Sequence, residues 1–294
     1  MRRGVVYAVI AYLVWGLLPL YWNVFQTVGA FEILAHRILW SFVFVGIVLL
    51  IKKRWRSMMS ALSGAKVRGA MILSSILISA NWLIYIWAVN NEKVLETSLG
   101  YYMNPLLSVF FGVIFLRERL QLGQWIALTL AAIGVLYNTL QYGEVPWVAI
   151  ALALSFALYG LAKKKVQVDA LTGVACETLL IVPVALLYLS AIQANGTATA
   201  WDMQGWQILL LTLTGVATVL PLFWFAEATK TLPLSTIGFI QYLSPTISMF
   251  SAIFIFGEPF TITHIISFSF IWAALIVFTI SSLRKKSQPV ALRT

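Results

Sequence analysis

Ten runs of about twenty residues, nearly free of charge, divide this chain, and that is the length an α-helix needs to cross the roughly 30 Å hydrocarbon core of a bilayer. They fall near residues 4–25, 31–51, 70–90, 94–116, 122–140, 145–162, 171–192, 206–228, 234–256 and 261–281. Backbone exposed to lipid must satisfy its hydrogen bonds within its own segment, so the runs read as helices. A membrane barrel would instead alternate polar and apolar residues over short strands, whereas Phe42 to Ile51 and Ile262 to Ile280 are long, mostly apolar runs without Asp, Glu, Lys or Arg. Only 10% of the 294 residues are charged and 61% are apolar, against roughly a quarter charged in a water-soluble chain. The fold class expected is therefore an all-α polytopic membrane protein. Arg2 and Arg3 followed by apolar residues from Val5 imitate the start of a signal peptide, but the run reaches Trp22 without a small-residue cleavage site and reads as a retained first helix.

Lysine and arginine stay in cytoplasmic loops, whereas acidic residues contribute little to orientation. With the N-terminus inside, eighteen of the 20 basic residues lie in cytoplasmic segments, the exceptions being Lys93 outside and Arg37 within a helix. Both ends are expected in the cytoplasm, and the composition suggests the inner membrane of a bacterium. The net charge of +10 is then explained by an anionic cytoplasmic leaflet, with no nucleic acid as partner. The single cysteine, Cys176, excludes an internal disulfide and has no metal-site spacing; no metal, cofactor or catalytic residue is expected.

Sliding the sequence against itself by 140 residues aligns Ala88, Tyr102, Pro105, Ser108, Phe110 and Glu118 with Ala228, Tyr242, Pro245, Ser248, Phe250 and Glu258 without a gap. The offset also sets Ala11 on Ala151 and Arg37 on Glu177. Each half then holds five helices, and an odd number forces the second half to enter the membrane from the opposite side. The expected organisation is two inverted repeats, 1–141 and 142–283, with 284–294 as a cytoplasmic tail, an arrangement that recurs among secondary transporters.

The stretches Tyr102-Met-Asn-Pro105 through Leu116-Arg-Glu-Arg119 and Tyr242-Leu-Ser-Pro245 through Phe256-Gly-Glu258-Pro259 resemble the paired signatures of the drug/metabolite transporter superfamily, EamA type. Trp15-Gly16, Glu32-Ile-Leu-Ala-His-Arg37-Ile-Leu-Trp-Ser41 and Ser98-Leu-Gly-Tyr-Tyr-Met-Asn-Pro105 are more narrowly similar to its RarD branch. The resemblance runs from the first helix to the last. It implies a ten-helix fold with a central cavity lined by helices 1, 3, 4, 6, 8 and 9. Members often export metabolites or drugs, and RarD takes its name from an association with chloramphenicol sensitivity. None of this identifies a cargo, because one fold hosts many.

Candidate binding or gating residues follow from the chemistry of polar groups at membrane depth, which are costly and usually face a cavity or a partner. Glu32 and His36 share a face of helix 2, and Arg37 points about 100° away from His36. Arg37 is expected roughly 9 Å below the outer boundary, either anchoring an anionic group of the cargo or held structurally by backbone carbonyls or Glu32. Glu177 is expected near the cytoplasmic boundary, roughly 12 Å from Arg37 in depth, and so not salt-bridged to it; it would take up a proton in coupling or pair with a basic loop residue. Pro105 and Pro245 each remove a donor inside a helix, which makes Tyr102, Asn104, Tyr242 and Ser244 hinge or binding candidates beside them. Asn81 and its counterpart Pro221 join them, and Trp15, Tyr85 and Trp82 offer stacking surfaces. Small-residue ladders at Gly123, Ala127 and Ala131 and at Ala149, Ala153 and Ala157 read as helix packing.

The partners expected are a small-molecule substrate and the lipid bilayer; proton coupling and the choice between monomer and homodimer stay open. A membrane enzyme would need a nucleophile, metal or P-loop motif, none of which is written in the chain. A channel would conduct without saturation, and a non-transporting sensor or scaffold would bind cargo without flux. The reading preferred is a secondary transporter that exports small organic solutes by alternating access.

Overall fold

The computed structural model describes residues 2–116, 122–164, 168–232 and 240–286. In chain order the helices are α1 (Arg2–Asn23), α2 (Ala30–Ile51), α3 (Trp55–Ser63), α4 (Ala65–Asn90), α5 (Val94–Leu116), α6 (Leu122–Tyr142), α7 (Trp147–Lys164), α8 (Ala170–Ala194), α9 (Gly205–Thr231), α10 (Leu243–Phe254) and α11 (Ile262–Lys286), with a 3-10 turn at Ala200–Asp202. Among the described residues, seven of these helices are long and apolar enough to cross a membrane. The chain is a multi-pass membrane protein.

Two departures from expectation stand out. The basic stretch after α2, expected as loop, holds α3, whose Met58 is fully buried against the α8 side while its neighbours are exposed. Nine residues carry too few apolar positions to register as a span, but Met58, with Trp55, Ala61 and Leu62 packed around it, docks them on the bundle. The expected helix over 234–256 is interrupted: Ile240 is helical, Gln241 and Tyr242 form a turn, and α10 follows from Leu243; residues 233–239 lie outside the described residues. Pro245 is consequently the third residue of α10, where its missing N–H has no intrahelical acceptor to lose. It does not break a helix interior. Glu118 and the side chains of Pro105 and Ser108 also lie outside what the structure describes.

Three of the helix pairs equated by the 140-residue offset, α2 with α8, α5 with α10 and α6 with α11, pack antiparallel. Gly123 of α6 meets Ser281 of α11, while Gly134 further along meets Phe270 and Ser267. Phe31 at the start of α2 lies against Tyr188 near the end of α8, and Ala35 and Ile38 cluster with Val182 and Ala185. Tyr102 of α5 stacks on Tyr242 at the start of α10, and the head of α5 reaches the loop beyond α10's end. The other large contacts come in matched sets: α5 on α7 and α10 on α1, α4 on α7 and α9 on α1, α2 on α9 and α8 on α4.

Small residues permit the closest approaches, because van der Waals contact rather than apolar burial holds helices together in lipid. A Cβ at Gly215 of α9 would sit 2.2 Å from the Trp40 carbonyl oxygen of α2, and one at Gly100 of α5 would sit 2.7 Å from that of Ala149 on α7. Ala127, Ala149 and Ala153 are fully buried at such seams.

The end of the bundle bearing the loops after α1, α4, α8 and α10 is tied by two buried carboxylates. Glu32 accepts from Thr199 N–H at 3.1 Å, from the Thr199 hydroxyl at 2.8 Å and from Ala200 N–H at 2.9 Å. Glu258 accepts from the Val94 and Leu95 N–H groups at 2.6 and 2.8 Å. Gly257, at φ +68°, turns the chain so that Glu258 faces the first turn of α5, where N–H groups have no helical acceptor.

Candidate functional site

One turn below the Glu32 tie, Arg37 is nine-tenths and more buried, at 4% exposure. Its Nε donates to Thr218 Oγ1 on α9 at 3.0 Å. The guanidinium carbon stands 4.1 Å from the centroid of Trp82 on α4 and 4.8 Å from that of Trp22 on α1. The hydroxyls of Tyr21, Tyr85 and Tyr101 are near enough to feel its charge. Five helices thus contribute to one chamber. The i, i+4 spacing turns Glu32 and His36 toward the 3-10 turn, where His36 meets the Trp201 ring edge-on at 6.2 Å, and the 100° step to Arg37 sends its side chain inward instead.

Among the described residues Arg37 has no acidic partner, and its Nη1 has no hydrogen-bond partner at all. Trp22 Nε1, on one of the two rings under the cation, is likewise buried and without a partner. Burying an ion costs several kcal/mol even after relaxation. A desolvated cation–π contact returns about 2 kcal/mol, and a hydrogen bond to a charged group about 1.5–3 kcal/mol. These contacts supply dipoles and quadrupoles, not a negative charge, so the chamber keeps a net positive potential with bare donors inside it. Such an arrangement is chemically suited to an anion.

The family model described as EamA-like transporter family matches residues 2–140 and again residues 145–280. The chain belongs to the EamA-like transporter family. Within it, the chain is 46% identical over 288 residues to uncharacterized transporter YojE of Bacillus subtilis (strain 168), covering 97% of this chain and 96% of that protein. It is 42% identical over 288 residues to protein RarD of Salmonella typhi, covering 97% of this chain and 98% of that one. These matches make it a RarD-like member of the drug/metabolite transporter superfamily. A solved crystal structure with 17% identity superposes at a TM-score of 0.60 over 94% of this chain and 97% of that one, and shows the same fold.

In this EamA-like chain the sequence-predicted residues fall into separate places. Tyr85 stands beside Arg37 and meets Tyr101 edge-on at 5.6 Å. Asn81, one turn from Tyr85, donates to the Leu152 carbonyl at 3.0 Å and to Ser155 Oγ at 2.9 Å, and so locks α4 to α7. Glu177 accepts from Ser74 Oγ at 2.8 Å and from the Tyr159 hydroxyl at 3.3 Å. It lines a narrow crevice between α2, α4 and α8 that Trp82 also lines. Trp15 belongs to another cluster, with Tyr12 at 5.2 Å and Phe225 at 5.8 Å. Pro221 is buried inside α9.

The second grouping is around Tyr102 and Tyr242, which with Thr246, Met249 and Trp272 line a crevice of about 390 Å³ between α5, α10 and α11. Tyr102 and Thr246 share a hydrogen bond between hydroxyls. Ser244 presents its carbonyl to Gly16 of α1, and Pro245 is buried below it. Asn104 is buried with its Oδ1 unpartnered. The helix set expected to surround a central cavity is packed shut here, with Asn81, Tyr85, Tyr102 and Arg37 all buried.

Sequence reasoning missed Trp22 and Thr218. Trp22 is next to the end of α1 whereas Arg37 lies two turns into α2, so depth along the helices gave no signal that pairs them. Glu32 was offered as a holder of Arg37; it is taken by Thr199 and Ala200 instead.

Proposed function

We propose that this chain is a secondary transporter of the bacterial inner membrane, with both ends cytoplasmic, that exports small organic solutes by alternating access. In this reading ten helices form two inverted repeats, 1–141 and 142–283, followed by a cytoplasmic tail, 284–294. The observation that carries it is the antiparallel packing of equivalent helices, α2 on α8, α5 on α10 and α6 on α11. Two halves so related can exchange conformations, and the exchange opens one side of the membrane as it closes the other.

The two carboxylate ties close one end of the bundle, the outer end under the charge distribution, and Arg37 lies just beneath them. In an outward-open state Glu32 and Glu258 release the backbone amides they hold. The chemistry is non-enzymatic: binding, reorientation and release.

The test is uptake and counterflow in proteoliposomes with amino acids, aromatic metabolites and chloramphenicol, comparing wild type with Arg37→Ala and Asn104→Ala. Saturable counterflow, lost or weakened in both variants, is the expected result. Non-saturable conductance would mean a channel, and binding without flux would mean a sensor; either overturns the transporter reading.

A further inference from the structure

We propose that the Arg37 chamber is a binding site for the carboxylate of an aryl or arylalkyl monoanion, with the two tryptophans holding the aromatic body. The inference rests on the transporter reading for its purpose, but the site itself is argued from its own geometry.

Three observations specify the ligand. The first is charge: Arg37 is buried, has no acidic partner among the described residues, and keeps Nη1 unpartnered. One uncompensated cation matches one negative charge, and a phosphate dianion would leave the chamber with net negative charge in place of net positive. The second is donor geometry. With Nε committed to Thr218, Nη1 is buried without a partner, as is the indole N–H of Trp22, whose ring the guanidinium overlies. A guanidinium with a free N–H suits a carboxylate oxygen. The third is the wall. Trp22 and Trp82 flank the guanidinium and Tyr85 and Tyr101 stand behind it, so the body attached to the anion meets aromatic surface. Rings that can stack on a ligand favour a flat apolar body over a small hydrated ion.

Trp82 lines both the Arg37 site and the narrow crevice that runs between α2 and α8 past Ile78 and Ser79 to Glu177. Substitution of Trp82 is therefore expected to change which aromatic bodies the site accepts.

The experiment is equilibrium binding of radiolabelled phenylacetate to the purified full-length protein in detergent, in a chloride-free buffer. Competitors are indole-3-acetate, acetate, phenylacetamide and chloride. The expected order is indole-3-acetate and phenylacetate tightest, acetate at least tenfold weaker for want of a ring, and phenylacetamide at least tenfold weaker for want of a charge. Arg37→Met should abolish the discrimination between acid and amide, and Arg37→Lys should retain part of it. The comparison of acid with amide in the wild type needs no variant to fold. Equal binding of acid and amide, no binding of either arylacetate, or displacement by chloride as effective as by phenylacetate overturns the proposal. If arylacetates bind through Arg37 yet show no counterflow in proteoliposomes, the site stands and the transporter reading falls. If counterflow is found with no preference for the acid, the transporter reading stands and this site falls.

Discussion

The rings of Tyr102 and Tyr242 stack with centroids 6.3 Å apart and planes 21° from parallel, and the two residues are each other's counterparts under the 140-residue offset. The pair therefore lies where the two stretches equated by that offset meet. Tyr102 also binds Thr246 through its hydroxyl and meets Phe268 edge-on at 5.8 Å. Tyr102→Phe removes the hydroxyl and keeps the rings, and should lower stability by about 1 kcal/mol. Tyr102→Ala removes the ring as well and should cost about 3–5 kcal/mol. Thermal unfolding in detergent measures both, and equal losses would mean that the stack contributes nothing.

Arg37 separates function from stability. A buried ion with no counterion is paid for by the rest of the fold, so an apolar side chain of similar length should not harm folding. Arg37→Met is expected to unfold at the same temperature as wild type or higher, by up to about 1–4 kcal/mol, while solute binding is lost. A clear fall in melting temperature would instead make Arg37 a structural strut between α2 and α9.

Glu258 gives a pH dependence whose sign can be stated. Burial raises its pKa from 4.5 to about 7; the Leu95 and Val94 N–H groups pull the other way, and Glu96 and Glu92 add to the rise. A carboxyl that holds its proton more tightly when folded makes the folded state gain as pH falls. The gain begins near pH 7 and is complete near pH 4.5. Relative to Glu258→Gln, wild type should therefore become more stable between pH 8 and pH 5 in thermal unfolding. A relative loss on acidification would mean that the two amide hydrogen bonds dominate.

How much of this was legible in the chain differs between levels. Spans written as twenty apolar residues were readable because lipid leaves a helix no alternative, and the ends of α2, α4 and α5 fall where charge or turn residues resume. The short α3 was not readable, since its docking depends on Met58 meeting the α8 side. Nor was the turn at Gln241 and Tyr242 ahead of α10, since neither residue is a preferred turn former. At the site, helical spacing separated the Glu32 and His36 face from Arg37, as found. It could not say that Glu32 would reach Thr199, 167 residues away, or that Trp22 and Trp82 would close on the guanidinium, because those contacts arise only when α1, α2 and α4 come together.

The seam between α2 and α9 joins stability to the site. Their backbones approach so closely at Gly215 that an added Cβ would lie 2.2 Å from Trp40 O and 2.8 Å from Ser41 N. The neighbour is backbone, which cannot rotate aside, so the helices must separate. Thr218 lies three residues further along α9 and holds Arg37 Nε at 3.0 Å, a bond that a shift of about 1 Å would break. Gly215→Ala should cost about 1–3 kcal/mol or more as overpacking and weaken arylacetate binding in the same protein. Gly69 on α4 is exposed with no atom within 4 Å of an added Cβ, so Gly69→Ala should stabilise by up to about 1 kcal/mol through helix propensity alone and leave binding unchanged. Thermal unfolding and phenylacetate binding on the two alanine variants test this together; if Gly215→Ala unfolds and binds like Gly69→Ala, the close approach of α2 and α9 is not what positions Arg37.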